Sequence, residues 1–386
     1  MKKTIWLDNA ATSFPKPDAV AAAVENYIRH IGATMGRSSY EAAQDAGLTA
    51  YTLRESFCRL FRFDRPDHVI LTAGATAGLN MILQGLLKPG DHCIVTSMEH
   101  NAVMRPLTQL QRQGVSFDRI PCGTDGIPDP ADLLPLIRPK TRLVLVTHAS
   151  NVSGGIIDIE AIGRICASRG IFFAVDAAQT AGHLPVDFSG AQLSALCVPG
   201  HKGLLGPQGI GALLLAPELA AALTPLITGG TGSASDSEEQ PCFMPDRFES
   251  GTANMPGIYG LSAALSFLEG TGIAAVRSHE LALTEQFLTG LSDIPGIRVP
   301  GPAGAMDRAG VVSVDFTERD NAECAYRLEK EFGILTRCGL HCAPAAHRTL
   351  GTFPHGTVRF SFSFFNTPGE IDAALHAIRH ISSGER

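Results

Sequence analysis

Three stretches of this 386-residue chain carry residue types that can do chemistry together. Val175-Asp176-Ala177-Ala178-Gln179 ends a short apolar run in a carboxylate, and in an open α/β sheet the carboxyl ends of strands are where ligands sit. Twenty-six residues on, Pro199-Gly200-His201-Lys202-Gly203 follows a second apolar run, Leu196-Cys197-Val198, so an amine would project from a strand end into the same crevice. Ala73-Gly74-Ala75-Thr76-Ala77-Gly78 follows the run Val69–Thr72 and opens a helix. The free N–H groups and dipole at such an end hold a phosphate, and a threonine hydroxyl adds a bond. Each feature alone has an ordinary explanation: most lysines are solvated, and an aspartate often caps a helix or bonds a loop. One cofactor asks for all three. Pyridoxal phosphate needs a lysine for its Schiff base, a carboxylate to keep the pyridine nitrogen protonated, and an anion site.

The elements that must position these groups are legible as alternation. Val69–Thr72, 93–96, 143–146 and 171–175 read as fully buried strands, and helix-like segments at about 77–87, 101–113, 130–138 and 159–169 lie between them. Continuous apolar strands alternating with helices predict a largely parallel sheet covered on both faces. Helices at about 17–31 and 41–61 precede it, and the polar tract Gly229–Gln240 reads as an exposed loop. A helical stretch from 258 to 291, broken at 270–272, leads into strands at 297–299, 311–316 and 357–362 with helices near 321–332 and 368–381. The expected organisation is α/β: an N-terminal segment (1–16), a large domain (17–257) and a smaller α+β domain (258–386).

Composition narrows the partners. Hydrophobic residues are 45% and charged residues 18%, ordinary for a globular chain that buries a large core. A net charge of −7 argues against nucleic acid or an anionic membrane as the main partner. The apolar stretch after Lys2-Lys3 ends at Asp8, too soon for a secretory signal. Prolines 217 and 225 and Glu218 interrupt the best candidate span, 210–227. Nine scattered cysteines in a chain without an export signal read as reduced thiols, which places the protein in the cytoplasm.

Six motifs in order extend the picture: Met98-Glu99-His100-Asn101, Ser150-Asn151-Val152-Ser153-Gly154, Asp176-Ala177-Ala178-Gln179, Gly200-His201-Lys202, Glu249-Ser250-Gly251-Thr252 and Arg337-Cys338-Gly339-Leu340-His341-Cys342-Ala343. With Leu7-Asp8-Asn9-Ala10-Ala11-Thr12 before them and Arg359-Phe360-Ser361-Phe362 after, the chain resembles the class V aminotransferase group of fold-type I pyridoxal phosphate enzymes, and more closely the cysteine desulfurase and selenocysteine lyase family. The resemblance implies that Lys202 carries the cofactor, Asp176 pairs with the pyridinium nitrogen and Gln179 bonds the phenolic oxygen. It places His100 over the ring, where it can move protons, and Asn151 beside both cofactor and substrate carboxylate. Ala75, Thr76 and His201 would hold the phosphate, with Thr252 reaching it from the second subunit of a homodimer. Arg359 would grip the substrate carboxylate, a two-pronged task that suits guanidinium. Two positions depart from the family: Pro199 stands where a Ser or Thr hydroxyl is usual, and Gly36-Arg37-Ser38-Ser39-Tyr40 lacks a common histidine.

Cys338-x3-Cys342-x4-His347 has poor zinc spacing, and no metal is expected. Cys342 as a buried small hydrophobe is the other plain reading. The neighbourhood of Arg337, Gly339, His341, Pro344 and His347 instead predicts a polar loop with an exposed thiol, its thiolate favoured by cations. The family motif makes Cys342 the nucleophile and Cys338 dispensable, although a Cys338–Cys342 disulfide is conceivable on oxidation. The resemblance implies that the sulfur of L-cysteine passes to Cys342 as a persulfide, with alanine released, and that L-cysteine or L-selenocysteine is the substrate. A selenocysteine lyase, a cystine C–S β-lyase, an aminotransferase in the same pocket, and a non-catalytic sulfur-relay protein are the alternatives. Seventeen residues separate Cys342 from Arg359, a spacing like the short-loop branch whose members often need an activating sulfur-acceptor protein.

Overall fold

A computed structural model describes residues 4–36 and 40–383; positions 37–39 of the Gly36–Tyr40 departure lie outside the described residues. The chain begins with β1 (Ile5–Trp6), α1 (Asp18–Asn26) with a π-helical turn over Tyr27–Ile31, and α2 (Glu41–Phe61). Then come β2 (Val69–Thr72), α3 (Ala75–Leu86), β3 (His92–Thr96), α4 (Asn101–Gln111), β4 (Ser116–Ile120) and β5 (Thr141–Thr147). The large sheet is completed through α5 (Ile159–Ser168), β6 (Phe172–Asp176), β7 (Ala195–Pro199) and β8 (Gly211–Leu215). After α6 (Pro217–Ala222) follow α7 (Met255–Thr271), α8 (Ile273–Leu291), β9 (Ile297–Arg298), β10 (Val311–Phe316) and α9 (Asn321–Phe332). The chain closes with β11 (Ile334–Leu335), β12 (Arg337–Gly339), α10 (Pro344–Thr349), β13 (Thr357–Ser361) and α11 (Pro368–Ser383).

Seven strands form the large sheet in the order β4-β3-β5-β6-β7-β8-β2. Pairing is parallel from β4 to β7; β8 runs antiparallel to both β7 and β2. The reversal has a local cause. No helix crosses over between β7 and β8, and the short turn carrying Lys202 returns the chain beside its own strand. The remaining six strands therefore end at one edge, and their last residues are Thr72, Thr96, Ile120, Thr147, Asp176 and Pro199.

Alternate residues of each central strand go to opposite cores. Val144 and Val146 belong to the buried cluster that includes Leu53, Phe57 and Phe61 of α2, whereas Leu143 and Leu145 belong to the one that includes Leu79, Ile82 and Leu83 of α3. Both faces are buried, which is why these strands read as unbroken apolar runs; each buried Val or Leu contributes about 1.5–3 kcal/mol. β4 was not legible as a strand because it is an edge: it pairs only with β3, and Ser-Phe-Asp-Arg-Ile has no apolar run. The helix expected at 130–138 is a 3-10 segment, Pro130–Leu136, because Pro135 within it lacks the N–H that an α-helix needs.

A second, four-stranded antiparallel sheet, β12-β13-β10-β9, packs against α8, α9 and α11 over a core that includes Phe287, Phe360 and Phe362. The N-terminal strand belongs to this side: Ile5 and Trp6 pair in parallel with Ile334 and Leu335. Among the described residues no single helix is long and apolar enough to cross a membrane; α7 and α8 pass only as a pair bent by 80°.

Candidate active site

The strand ends enclose a cavity of about 520 Å³ at the carboxyl edge of the large sheet, lined by Ala75, Thr76, His100, Asn151, Asp176, Gln179, His201 and Lys202 among others. They arrive from five strand ends, those of β2, β3, β5, β6 and β7. After β2, Gly74 takes φ +144°, a conformation open to glycine, and α3 begins at once. The first N–H groups of α3 have no intrahelical acceptor, and Ala75 and Thr76 line the cavity. After β5, the Ser150 hydroxyl accepts from the N–H groups of Val152 (3.1 Å) and Ser153 (3.2 Å), closing a tight turn that carries Asn151.

Asp176 is the last residue of β6, buried, and accepts from the Ala178 N–H at 3.0 Å. Burial pushes its carboxyl pKa up, and the Lys202 charge pulls it back. Lys202 lies in the turn after β7. Burial lowers its pKa to about 8 against the opposing pull of Asp176, so a neutral amine is accessible near neutral pH. Gly203 follows because a Cβ there would overlap the His183 ring and the Ala181 carbonyl. The N-terminal segment straps this turn: the Ser13 hydroxyl donates to the Lys202 carbonyl (2.9 Å), and Lys16 Nζ donates to the His201 carbonyl (2.7 Å). Gln179, buried, donates to the Ala10 carbonyl at 3.1 Å, a further tie to that segment.

His100 caps α4: its Nδ1 accepts the Ala102 N–H at 3.0 Å. Burial, and then the neighbouring cations Lys202 and Arg337, lower its pKa to about 4. The ring is therefore neutral, with its proton on Nε2. Behind it stands Glu99, a residue that sequence reasoning left without a role. Glu99 is fully buried and accepts from the Thr96 hydroxyl (2.6 Å) and the Thr147 N–H (3.0 Å), joining the ends of β3 and β5. Burial raises its pKa to about 8. A carboxylate three residues past the end of a buried strand was the available signal.

The second half of the site hangs from the small sheet. Arg359 on β13 is buried; its Nη2 donates to Asp8 (2.9 Å) and its Nη1 to the Asn151 carbonyl (3.1 Å), while Nε has no partner. It stands beside Asn151 rather than among the residues lining the cavity. Cys342 is exposed and borders a crevice shared with Thr76 and His100, both of which also line the Lys202 cavity. Its loop is fixed at two carbonyls: the Asn151 amide donates to that of His341 (2.7 Å), and the Asn101 N–H to that of Cys342 (2.8 Å). His341 and Cys342 take φ +47° and +58°, left-handed conformations that cost about 1–3 kcal/mol each in residues other than glycine.

Two expectations about this loop change. Arg337–Gly339 is not loop but strand, paired with β13, because long-range pairing overrides the local glycine signal. His341 and His347 are buried and bonded to the Thr357 and Thr352 hydroxyls at 3.1 and 2.7 Å. Burial lowers both pKa values, that of His347 to about 4, so neither is a cation. Arg337 is the cation at hand, its Nη2 4.0 Å from the Cys342 sulfur. Cys338 lies half-buried on β12 against the core of the four-stranded sheet, and both thiols are free.

Thr252 is elsewhere. It borders a separate groove with Tyr51 and Gly232, where Glu249 makes a two-pronged bond to Arg54 (2.7 and 2.8 Å) and accepts the Leu71 N–H. Pro199 ends β7 at the cavity wall, where it offers no hydroxyl.

The donor set fits a phosphate-bearing pyridine aldehyde. A helix N-terminus, a Thr76 hydroxyl and a buried His201 Nδ1 with no partner among the described residues would be the phosphate's donors. A buried carboxylate and an amine with lowered pKa line the same cavity.

Residues 5–374 match the family model described as aminotransferase class-V. The chain is 31% identical over 387 residues to a protein of Methanothermobacter thermautotrophicus named probable cysteine desulfurase, covering 99% of this chain and 96% of that one. This chain belongs to the class-V aminotransferase family, in its cysteine desulfurase group. Its fold agrees. The apo cysteine desulfurase of Thermococcus onnurineus NA1 superposes with a TM-score of 0.92 at 30% identity, covering 99% of this chain and 95% of that one. The S-sulfonic acid form of the cysteine desulfurase CsdA of Escherichia coli superposes with a TM-score of 0.88 at 30% identity, with coverage of 99% and 95%. The fold is accordingly that of fold-type I pyridoxal phosphate enzymes.

Proposed function

We propose that this protein is a pyridoxal phosphate-dependent cysteine desulfurase that takes sulfur from L-cysteine onto Cys342 and releases L-alanine. The observation that carries the reading is the common wall: Thr76 and His100 border both the cavity of Lys202 and the crevice of Cys342, so amine and thiol face one substrate. Ala75, Thr76 and His201 would hold the phosphate, Asp176 the pyridinium nitrogen, and Gln179 the phenolic oxygen, with the neutral His100 ring over the cofactor face. Bound there, pyridoxal phosphate supplies an electron sink that makes the substrate Cα proton removable.

The protein's own groups do the rest. Arg359, with its unpaired Nε, and the Asn151 amide orient the substrate carboxylate. Lys202, with a pKa near 8, takes the Cα proton as a general base. The Cys342 thiolate attacks the substrate sulfur; an S–S bond forms, the Cβ–S bond breaks, and protonation of the remaining carbon skeleton gives alanine. Replacing Cys342 with alanine tests this directly. Alanine formation from cysteine is expected to fall at least ~100-fold; unchanged alanine output would overturn the assignment. Pyruvate and ammonia as products would instead mark a β-lyase.

The reading extends to a homodimer. Thr252 sits outside its own chain's cavity on a loop fixed by the buried Arg54–Glu249 pair, which supports its delivery to the phosphate of a second copy. A monomeric holoenzyme in light scattering would remove that role. Nine free thiols support a reducing compartment, the cytoplasm.

A further inference from the structure

The Cys342 loop borders a second depression that the chemistry above does not use. One wall is a stripe of α4 carrying Asn101, Arg105 and Thr108, continued by Arg112 just past the helix end; Arg119 of β4 and Arg348 of α10 close a groove of about 520 Å³. Four guanidiniums line it and no carboxylate does. All four arginines are exposed, and none has an ion-pair partner among the described residues. Two are held by aromatic faces, Arg119 at 5.0 Å from the Phe117 ring centre and Arg348 at 4.2 Å from that of Phe353. Such stacking orients a guanidinium without neutralising it.

This concentration runs against the chain as a whole, whose net charge is −7. Like charges this close repel one another unless an anion shares the groove. The groove is also continuous with the nucleophile: Asn101, Arg105 and Gln109 line both it and the Cys342 crevice, and Pro344 and Ala345, just after the thiol, form its far wall.

We propose that this groove docks an acidic segment of a sulfur-accepting protein and so delivers the acceptor's cysteine to Cys342. The inference rests on the desulfurase reading. The patch is short and the rest of the chain is acidic, which suits a local acidic segment better than a long polyanion such as RNA. In the transfer, the acceptor thiolate attacks the outer sulfur of the Cys342 persulfide. A new S–S bond forms on the acceptor, and the old one breaks with its electron pair left on the Cys342 thiolate. No net oxidation or reduction occurs.

The test uses the holoenzyme, cysteine, and three synthetic cysteine peptides, flanked by glutamates, by glutamines or by lysines. The glutamate peptide is expected to take up sulfur about 10-fold faster than the glutamine peptide at low salt, with the lysine peptide slowest. The advantage should collapse by about 0.5 M salt. In the triple variant R112E/R119E/R348E the preference should reverse, while alanine formation with dithiothreitol stays within about 2-fold, which also reports folding. Equal rates for the three peptides, or an acidic preference that survives the triple reversal, would overturn the proposal. So would equal peptide rates accompanied by RNA protection of Cys342 from alkylation. Fluorescence anisotropy of the labelled glutamate peptide reads docking independently of turnover. An enzyme that makes no alanine even with dithiothreitol defeats the desulfurase reading, not the groove.

Discussion

The Lys202 cavity and the Cys342 loop are built on opposite plans. The cavity is assembled from the ends of parallel strands whose neighbours are fully buried, and Asp176, Gln179 and Asn151 are locked by hydrogen bonds. The loop is held to its neighbours by two carbonyl bonds and carries two consecutive left-handed residues, a buried His341 and an exposed Cys342. The difference suits the roles we propose for the two halves. A base and a ring-nitrogen partner need fixed geometry, which a sheet edge provides. A thiol that meets substrate on one side and an acceptor on the other must be reachable from both.

Breaking the fixed half should cost most. Lys202→Ala is expected to lower alanine formation by ~10³-fold or more, measured in single turnovers with saturating cofactor. In the unaltered apoprotein, cofactor uptake followed by absorbance should rise with pH up to about 8 and then level off, because uptake requires the neutral Lys202 amine. A flat profile from pH 6 to 9 would show that burial does not set the amine's titration. Arg359→Lys keeps the charge but loses the fork, and is expected to raise KM about 10- to 100-fold with a smaller change in kcat.

Glu99 sharpens the contrast from behind the site. Its folded pKa, raised to about 8, lies above its ordinary carboxyl value of 4.5, so the folded state holds a proton that the unfolded state releases. Its contribution is fully present below about 4.5 and is lost as pH rises toward about 8, with a slope of at most ~1.4 kcal/mol per pH unit. Glu99→Gln should flatten this loss in thermal melts across that window. An identical slope in the variant would place the titration elsewhere. The smallest effect concerns the other cysteine: Cys338→Ala should leave turnover within about 2-fold and cost ~1 kcal/mol of stability, because it removes only a half-buried contact. In the same vein, Cys242 and Cys342 are the exposed thiols, so Cys342→Ala should remove one of two fast phases of modification by a thiol reagent.

The sequence was most readable where one interaction dominates. Buried strands such as 143–146 and helices such as 41–61 and 321–332 follow from apolar spacing alone, and the positions of Lys202, Asp176 and the α3 N-terminus after apolar runs point to the one cavity that they line. What was hidden depends on partners far along the chain. β12 exists because it pairs with β13, and β4 because it edges β3. His341 and His347 looked cationic beside Arg337, but burial against Thr357 and Thr352 makes them neutral spacers. The strap from Ser13 and Lys16 to the lysine turn likewise joins residues almost two hundred positions apart, which no local pattern reports.

That strap has a reach of its own. Between Ile5 and Lys16 the chain is stitched first to Ile334 and Leu335, then by Asp8 to Arg359, and finally to the backbone of His201 and Lys202. One short ribbon thereby sets the spacing between the two halves of the machinery. A single proteolytic nick between Asp8 and Ser13 would disable the enzyme with every reacting group still in place.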